Sequence, residues 1–556
     1  MKRWDILYTP DTSEQLDLET ITAALLHNRG LFNKEDIEKF LYPELSDISL
    51  EKLGISKSQI KRAVEHIKKI QKDDKTIVIY GDYDVDGVCA TAILWETIYS
   101  TYKKCIPYIP DRVEEGYGLS KVGVDNILEK YPDTALIITV DNGIAAYEAV
   151  TYAKEKGLTV IVTDHHTKGA KNPDADAILH TTKVCGTGVS YALSRELVNA
   201  KMSTSQDTHT HLELVALATI ADCMPLKNEN RVLVKFGLQA LTTTQRLGLE
   251  ALLEEAKVEK ASVNVYHVGF VIAPRLNAAG RLASAMDSLR LLCTVDSVRA
   301  RMLAKKLSST NSERQSLTSD LFLHAKNTVL GSELKKVLVV SDSTYNQGVI
   351  GLIASKLTEA YYRPSFVISV GENGVSKGSA RSVKGVHIVK LLQSVSGHLI
   401  QFGGHEMAAG FSIQTEKISE FSKALVTQAD TLIADDNLVK VISADLKLPF
   451  SVINYDLYTA IQSFAPFGQD NREPTFVTKN VIIKDIRIMG KEGTHIKFLL
   501  EHDGSFLEAI AFGFAKNFTG KVGDTVAVLY TVSLDTWNGK SKIVLRIKDI
   551  HSSSEY

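Results

Sequence analysis

The sequence predicts an α/β protein in which two α/β domains are joined by a long helix and followed by a small C-terminal β-barrel. Three observations carry this. Short runs of β-branched residues, each followed by a polar cluster and then by helical periodicity, mark buried parallel strands alternating with crossover helices. The stretch 281–330 contains neither Gly nor Pro, as a long uninterrupted helix requires. From about Pro474 onward the pattern changes to strands separated by turns. At roughly 150 residues per domain, 556 residues also imply three to four domains and exclude a single compact module.

In chain order, residues 76–80, 135–140 and 159–163 have the near-continuous apolar character of strands buried on both faces. Residues 88–100, 121–130 and 145–156 are the crossover helices between them, and 212–220 and 232–241 read as helices covering the same unit. Asp296 caps a helix beginning near Ser297. A second α/β unit follows, with strands at 336–340 and 366–370 and a helix at 349–357, ending in the Gly-rich segment 401–410. Strands at 476–488, 495–501, 507–514, 525–533 and 542–547, with turns at His502-Asp503-Gly504 and Trp537-Asn538-Gly539, suggest a barrel of OB type. The expected divisions are 1–60, an N-terminal segment; 61–295, the first α/β domain; 296–330, the connecting helix; 331–432, the second α/β domain; and 433–556, the barrel.

Composition narrows the function classes. A hydrophobic content of 44% with 23% charged residues and 12 Pro excludes disordered and collagen-like chains. Lys and Arg (64) nearly balance Asp and Glu (66), so any polyanion site must be local. Five scattered cysteines (Cys89, Cys105, Cys185, Cys223, Cys293), with no C-x-x-C pair, point away from a disulfide scaffold or structural zinc. Met1-Lys2-Arg3-Trp4-Asp5 leads into no apolar signal region, and no run of about 18 apolar residues occurs. A cytoplasmic protein without a membrane partner is expected.

The chemistry is written at strand ends. Asp82, Asp84 and Asp86 alternate within Tyr80–Gly87, directly after a buried strand. Carboxylates so crowded repel unless cations neutralise them, although Asp-rich turns are also common as solvated loops. Asp141-Asn142-Gly143 follows the next strand and Asp164-His165-His166 the one after. Open α/β sheets place their sites at such C-terminal strand ends. Asp222 closes an otherwise apolar helix, where it serves equally as a turn carboxylate. Carboxylate and imidazole without thiolate favour Mn2+ or Mg2+ over Zn2+. Two such ions about 3.5–4 Å apart are the usual clamp for attack on phosphorus, so phosphoester hydrolysis is the expected reaction. No G-x-S-x-G elbow or G-x-x-x-x-G-K-[ST] loop is present, and Cys89 reads as core.

Gly81-Asp-Tyr-Asp-Val-Asp-Gly87, Asp141-Asn-Gly143, Asp164-His-His166 and Ala218-Thr-Ile-Ala-Asp222, in this order, resemble the DHH phosphoesterases. Pro274–Leu282, Gly348–Leu357, Gly378–Ser382 and Phe402–His405 narrow the resemblance to the family's single-strand-specific 5′-to-3′ exonucleases. The resemblance implies that Asp84, Asp86, Asp141, His165 and Asp222 hold the metals, with Asp141 bridging both ions and Asp82 a lesser ligand. It implies that His166 faces the scissile phosphate and that Asp164 orients an imidazole. Many family members carry a histidine where this chain has Tyr80, which leaves one ion with fewer protein ligands.

The second α/β unit resembles the DHH-associated domain, which holds nucleic acid. Gly403, Gly404 and His405 would then bring backbone amides to a phosphate, and Arg275, Asn277, Arg281 and Arg381 would supply side-chain donors. Gly-Gly reads also as a plain turn, and Arg281 as a helix cap or ion-pair partner. Arg299, Arg301, Lys305, Lys306 and Arg314 add local basicity, which a solvated helix face explains equally well. Phe476, Phe514 and Trp537 could stack bases or fill the barrel core, the core being the better reading. The implied activity is two-metal release of 5′-mononucleotides from single-stranded DNA in recombination and repair. The implied partners are a single-strand-binding protein and a RecQ-type helicase, with the chain a monomer. Two rivals remain open: a phosphodiesterase for short oligonucleotides or cyclic dinucleotides, and a non-catalytic single-strand-binding scaffold.

Overall fold

The structure is a computed structural model in which residues 2–9, 16–112, 114–331, 333–537 and 540–552 are described. The chain forms two compact units. One comprises Met1–Arg3, Ile55–Ala221 and Leu241–Lys440; the other comprises Trp4–Gly54, Asp222–Ala240 and Val441–Tyr556.

Among the described residues, the first unit contains two five-stranded sheets. In the first, Thr76–Tyr80, Cys105–Tyr108, Thr134–Val140, Thr159–Asp164 and Ala177–His180 are all parallel. Taken in chain order, these strands lie 2-1-3-4-5 across the sheet. The order reverses between Thr76–Tyr80 and Thr134–Val140, and the crevice beyond that switch point is where such sheets bind ligands. Ile77, Val78 and Ile79 are fully buried because helices cover both faces. On one face Val78, Ile137, Val160 and Val162 meet Val124 and Ile127 of Lys121–Lys130 and Ala149, Val150 and Ala153 of Tyr147–Glu155. The helix Val85–Tyr99 is buried through nearly its whole length, Cys89 included.

The second sheet runs Leu399–Gly404, Ala408–Gln414, Val375–Arg381, Ser365–Ser369, Leu338–Asp342, and only the last two are paired in parallel. The Gly-rich segment is therefore an antiparallel hairpin, with Gly403 opposite Gly410 and Gly404 opposite Ala409. Gly378 is obligatory in the next strand, since a Cβ there would lie 2.1 Å from the Phe411 ring.

The connecting helix Ser297–Leu330 is 34 residues long, about 50 Å. Asp296 caps it, accepting from the amides of Val298 and Arg299. Its C-terminal part seats Ala325 and Val329 among Leu338, Val340 and Ile353 of the second sheet's domain. Arg299, Arg301, Lys305 and Lys306 are exposed, as a solvated face requires, and Lys306 pairs with Asp287 at 2.6 Å.

In the second unit, Phe476–Met489, His495–His502, Ser505–Ala511, Lys540–Ser552 and Thr525–Trp537 close into a barrel, because the first strand pairs with both the second and the last of this series. Phe476, Phe498 and Tyr530 fill it, and Ile21 and Leu25 of the helix Leu18–His27 join the same core. Phe476 is thus core, and Phe514 packs against that core. The Trp537 side chain and the turn residues Asn538 and Gly539 lie outside the described residues. One expectation changes. The helix over 232–241 is Asn228–Thr242, and its residues through Ala240 belong to this unit rather than to the first. The cause is Arg231, buried against the Phe40 ring at 3.9 Å and donating to the carbonyls of Phe40 and Phe464, partners that periodicity cannot reveal. Among the described residues no helix is long and apolar enough to cross a membrane.

Candidate metal centre and anion cleft

The site stands where the first sheet's order reverses. Asp84 is the N-cap of Val85–Tyr99, its Oδ1 accepting from the amides of Asp86 and Gly87 at 3.0 and 3.1 Å, an arrangement that places negative charge at the positive end of a helix. Asp82 Oδ1 accepts from the Tyr83 amide at 2.7 Å. The loop folds back so tightly that a Cβ on Gly87 would sit 2.5 Å from that of Asp82. Asp86 reaches a second helix N-terminus, that of Gly186–Asn199, and accepts from the amides of Gly186 and Thr187, both at 2.7 Å.

Asp141 has a left-handed backbone, φ 62°, a strained conformation for this residue type that surrounding bonds must hold. Asn142 supplies them: its Nδ2 donates to the carbonyls of Tyr80 and Val140, and its Oδ1 accepts from the Leu119 amide. From the next strand end, His165 Nε2 lies 3.1 Å from Asp141 Oδ1 and 3.6 Å from Asp86 Oδ2. Asp164 turns away to a positioning role. Its Oδ2 accepts from the Ile144 amide, and its Oδ1 lies 2.8 Å from His166 Nδ1. The Tyr117 hydroxyl lies 3.1 Å from the other His166 nitrogen.

Ligand atoms of Asp82, Asp84 and Asp141 lie within 4.8 Å of one another, and so do those of Asp141, His165 and His166. Asp141 belongs to both groups. Asp222 directly follows Ala221, the last residue of the helix Leu212–Ala221. Tyr80 is core: it is fully buried, stacks on Tyr108 and donates to the Gly118 carbonyl.

Burial pushes the Asp141 carboxyl well above the usual range, with repulsion from Asp86 and Asp84 adding to it. Asp82 is raised in the same way by burial and by Asp84, and Asp84 by burial and by Asp86. Asp164 goes the other way: burial is the largest single influence and pushes it up, but the His166 hydrogen bond and charge, with the Ile144 and His166 amides, together bring it below the usual range. Burial holds His165 down and therefore neutral, with a lone pair available to a cation. Asp141 Oδ1 is buried without a hydrogen-bond partner among the described residues. An orphaned carboxylate oxygen amid mutually repelling acids, with a neutral imidazole beside it, is a donor set that fits hard divalent cations.

Carboxyls whose folded pKa is raised contribute stability that is present below the ordinary value near 4 and is lost as pH climbs toward the raised values. Through these three acids, metal-free protein should melt at a higher temperature at pH 5.5 than at pH 7.5, and Mn2+ should raise the melting temperature more at pH 7.5. Scanning calorimetry with and without EDTA checks this, and an Mn2+ effect larger at the acid pH would contradict it.

Beside the acids, a cleft of about 1530 Å³ within the first unit is lined by Arg112, Arg281, Gly348, Arg381 and Gly403, among others. Burial lowers the Arg281 guanidinium to about 10, with Arg112, Arg314 and Arg381 repelling it and Asp84 alone offsetting them among the leading causes. Its bond to the Gly348 carbonyl is long, 3.4 Å. Arg381 donates to Ser379 Oγ and the Ala380 carbonyl. Converging guanidiniums in a cleft form an anion cradle.

The other expected donors are placed differently. Arg275 bonds the Val271 carbonyl and Ser308 and does not line the cleft. Asn277 Oδ1 accepts from the Val85 amide and so supports the start of the acidic helix. The His405 amide donates to the Ala408 carbonyl within the hairpin. Gly404 serves that turn too, since a Cβ there would lie 2.3 Å from the same carbonyl. Arg112, Tyr117, Gly186 and Thr187 were not visible as site residues in the sequence. The one local signal is Gly116-Tyr117-Gly118, whose glycines both have positive φ.

The described geometry has counterparts. Residues 76–219 match the DHH family N-terminal domain, 334–430 the DHHA1 domain and 444–549 the RecJ OB domain. The chain is 34% identical to the single-stranded-DNA-specific exonuclease RecJ of Bacillus subtilis over 98% of its own length and 70% of that protein's. With the RecJ of Haemophilus influenzae it shares 32% identity over 89% and 91% of the two chains. The crystal structure of Thermus thermophilus RecJ in complex with Mn2+ superposes with a TM-score of 0.83 at 28% identity, covering 99% of this chain and 79% of that one. On sequence, domain order and fold together, the chain belongs to the RecJ family of DHH phosphoesterases.

Proposed function

We propose that the protein is a metal-dependent exonuclease specific for single-stranded DNA, working 5′ to 3′ and releasing 5′-mononucleotides in recombination and repair. The carrying observation is that Asp141, buried and shared by two candidate ligand groups, clusters with Asp82 and Asp84, and Tyr83 between those two lines an arginine-rich cleft. Asp84, Asp86, Asp141, His165 and Asp222 would hold two Mn2+ or Mg2+ ions, with Asp82 assisting. When bound, such ions supply charge neutralisation at phosphorus and a water of lowered pKa.

The chain's own groups do the rest. Arg281 and Arg381, with Arg112 and Arg314, hold the strand's phosphate in place and oppose its charge. Asp164 fixes the ring of His166 through Nδ1, so that the imidazole edge is aimed at the scissile phosphate. Asp86, bonded across to Gly186 and Thr187, keeps the acidic helix in register. The protein acts as a cytoplasmic monomer beside a single-strand-binding protein and a RecQ-type helicase.

The test is incubation with Mn2+ or Mg2+ and DNA labelled at either end, single-stranded and duplex, alongside dinucleotides. Mononucleotide release from the 5′ end of single strands is expected. Cleavage of dinucleotides alone would overturn the reading in favour of a small-substrate phosphodiesterase, and binding without metal-dependent cleavage in favour of a scaffold.

A further inference from the structure

Tyr266 and Phe270 are 63% and 71% exposed, yet they stack on each other with ring centroids 5.2 Å apart and planes 27° apart. They sit where Val265–His267 passes through a π-helical turn, Val268–Ile272, into the helix Ala273–Leu282. Such turns are rare and recur at functional sites. Asn277 and Arg281, four residues apart, share one face of that helix, and Tyr266 and Phe270 precede them along the same rod. The far end of the rod is already in the site: Asn277 accepts from Val85 of the acidic helix, and Arg281 lines the cleft. The near end is anchored beside the site as well. A Cβ on Gly269 would lie 3.7 Å from Ile220, in the helix that leads to Asp222. Between Glu259 and Asp287 the sequence has no carboxylate; of the cations there Lys260 is paired with Glu250 at 2.6 Å, which leaves His267, Arg275 and Arg281. The surroundings therefore favour a polyanion over an acidic or neutral partner.

We propose, resting on the single-strand reading above, that Tyr266 and Phe270 are a base-stacking platform for the part of the strand that lies outside the cleft. Aromatic faces accept any base, which suits a nuclease without sequence preference. Phe270 lies about 16 Å along the rod from Arg281. A stacked strand rises about 3.4 Å per nucleotide, so the platform meets bases roughly four to five nucleotides from the one in the cleft.

The experiment measures affinity for 5′-phosphorylated oligodeoxythymidines of two to twelve nucleotides by anisotropy in EDTA. It compares the unsubstituted protein with Tyr266→Ala/Phe270→Ala and Tyr266→Leu/Phe270→Leu. Both variants should bind strands of eight or more nucleotides about tenfold more weakly, with the deficit shrinking below about four. A 2-aminopurine placed five nucleotides from the 5′ end should lose its stacking quench in both. Since both rings are exposed, unchanged melting curves verify folding. An equal deficit at every length overturns the platform. Full DNA affinity in both variants overturns it too, and leaves the pair to a protein partner. Absence of any single-strand binding by the unsubstituted protein would fell the functional reading and the platform together.

Discussion

Asp141→Asn lowers kcat/KM on single-stranded DNA by about a thousandfold or more, roughly 4 kcal/mol of transition-state stabilisation, while raising the melting temperature of the metal-free protein. The two effects share one cause. Asp141 is buried, carries an oxygen with no hydrogen-bond partner among the described residues and is common to both ligand groups. A nearly isosteric amide keeps the shape but removes the charge that a pair of cations would share. In the absence of metal that same charge is a liability, raised by burial and by Asp86 and Asp84, so its removal relieves repulsion. Calorimetric Mn2+ titration should show at least one site lost. Activity within tenfold of the unsubstituted enzyme, or a lower metal-free melting temperature, would sink this account.

Arg281→Ala should leave Mn2+ affinity nearly intact and raise KM for single strands about thirtyfold, roughly 2 kcal/mol for a charge-assisted phosphate contact. The slope of log affinity against log salt should fall by about 0.7, the value for one phosphate contact on a single strand. Arg281→Lys should recover the salt slope but only part of the affinity, because an ammonium lacks the planar fork. Burial and three neighbouring guanidiniums make Arg281 a charge in want of an anion, which distinguishes it from Arg275, satisfied by Val271 and Ser308. Unchanged salt dependence would assign Arg281 to structure alone.

Local chemistry made much of this legible in the sequence. Thr76–Tyr80 and Lys121–Lys130 are where apolar runs and periodicity put them, and Asp296 caps the connecting helix as its sequence position requires. The acidic and histidine clusters could be placed because each follows a buried strand, and a parallel sheet brings those ends together. Val375–Arg381 was not readable, since Ser, Lys and Gly in a strand flanked on both sides resemble a loop. Nor was the hold of Gly186 and Thr187 on Asp86, a contact made across a hundred residues. Arg112 and Tyr117 come from a connection without periodicity, and only the fold brings them to the acids.

The second unit is assembled from three stretches, of which Trp4–Gly54 comes first and Val441–Tyr556 last. On a ribosome adding about 5–20 residues per second, Ile21 and Leu25 wait roughly 20–90 s for the first of the barrel strands that bury them. Every residue of the first unit has emerged before Val441. The order of synthesis therefore favours completion of the metal-centre unit while the barrel's first helix is still an exposed apolar surface. The newborn chain should need chaperone cover at its N-terminal end rather than at its acidic heart.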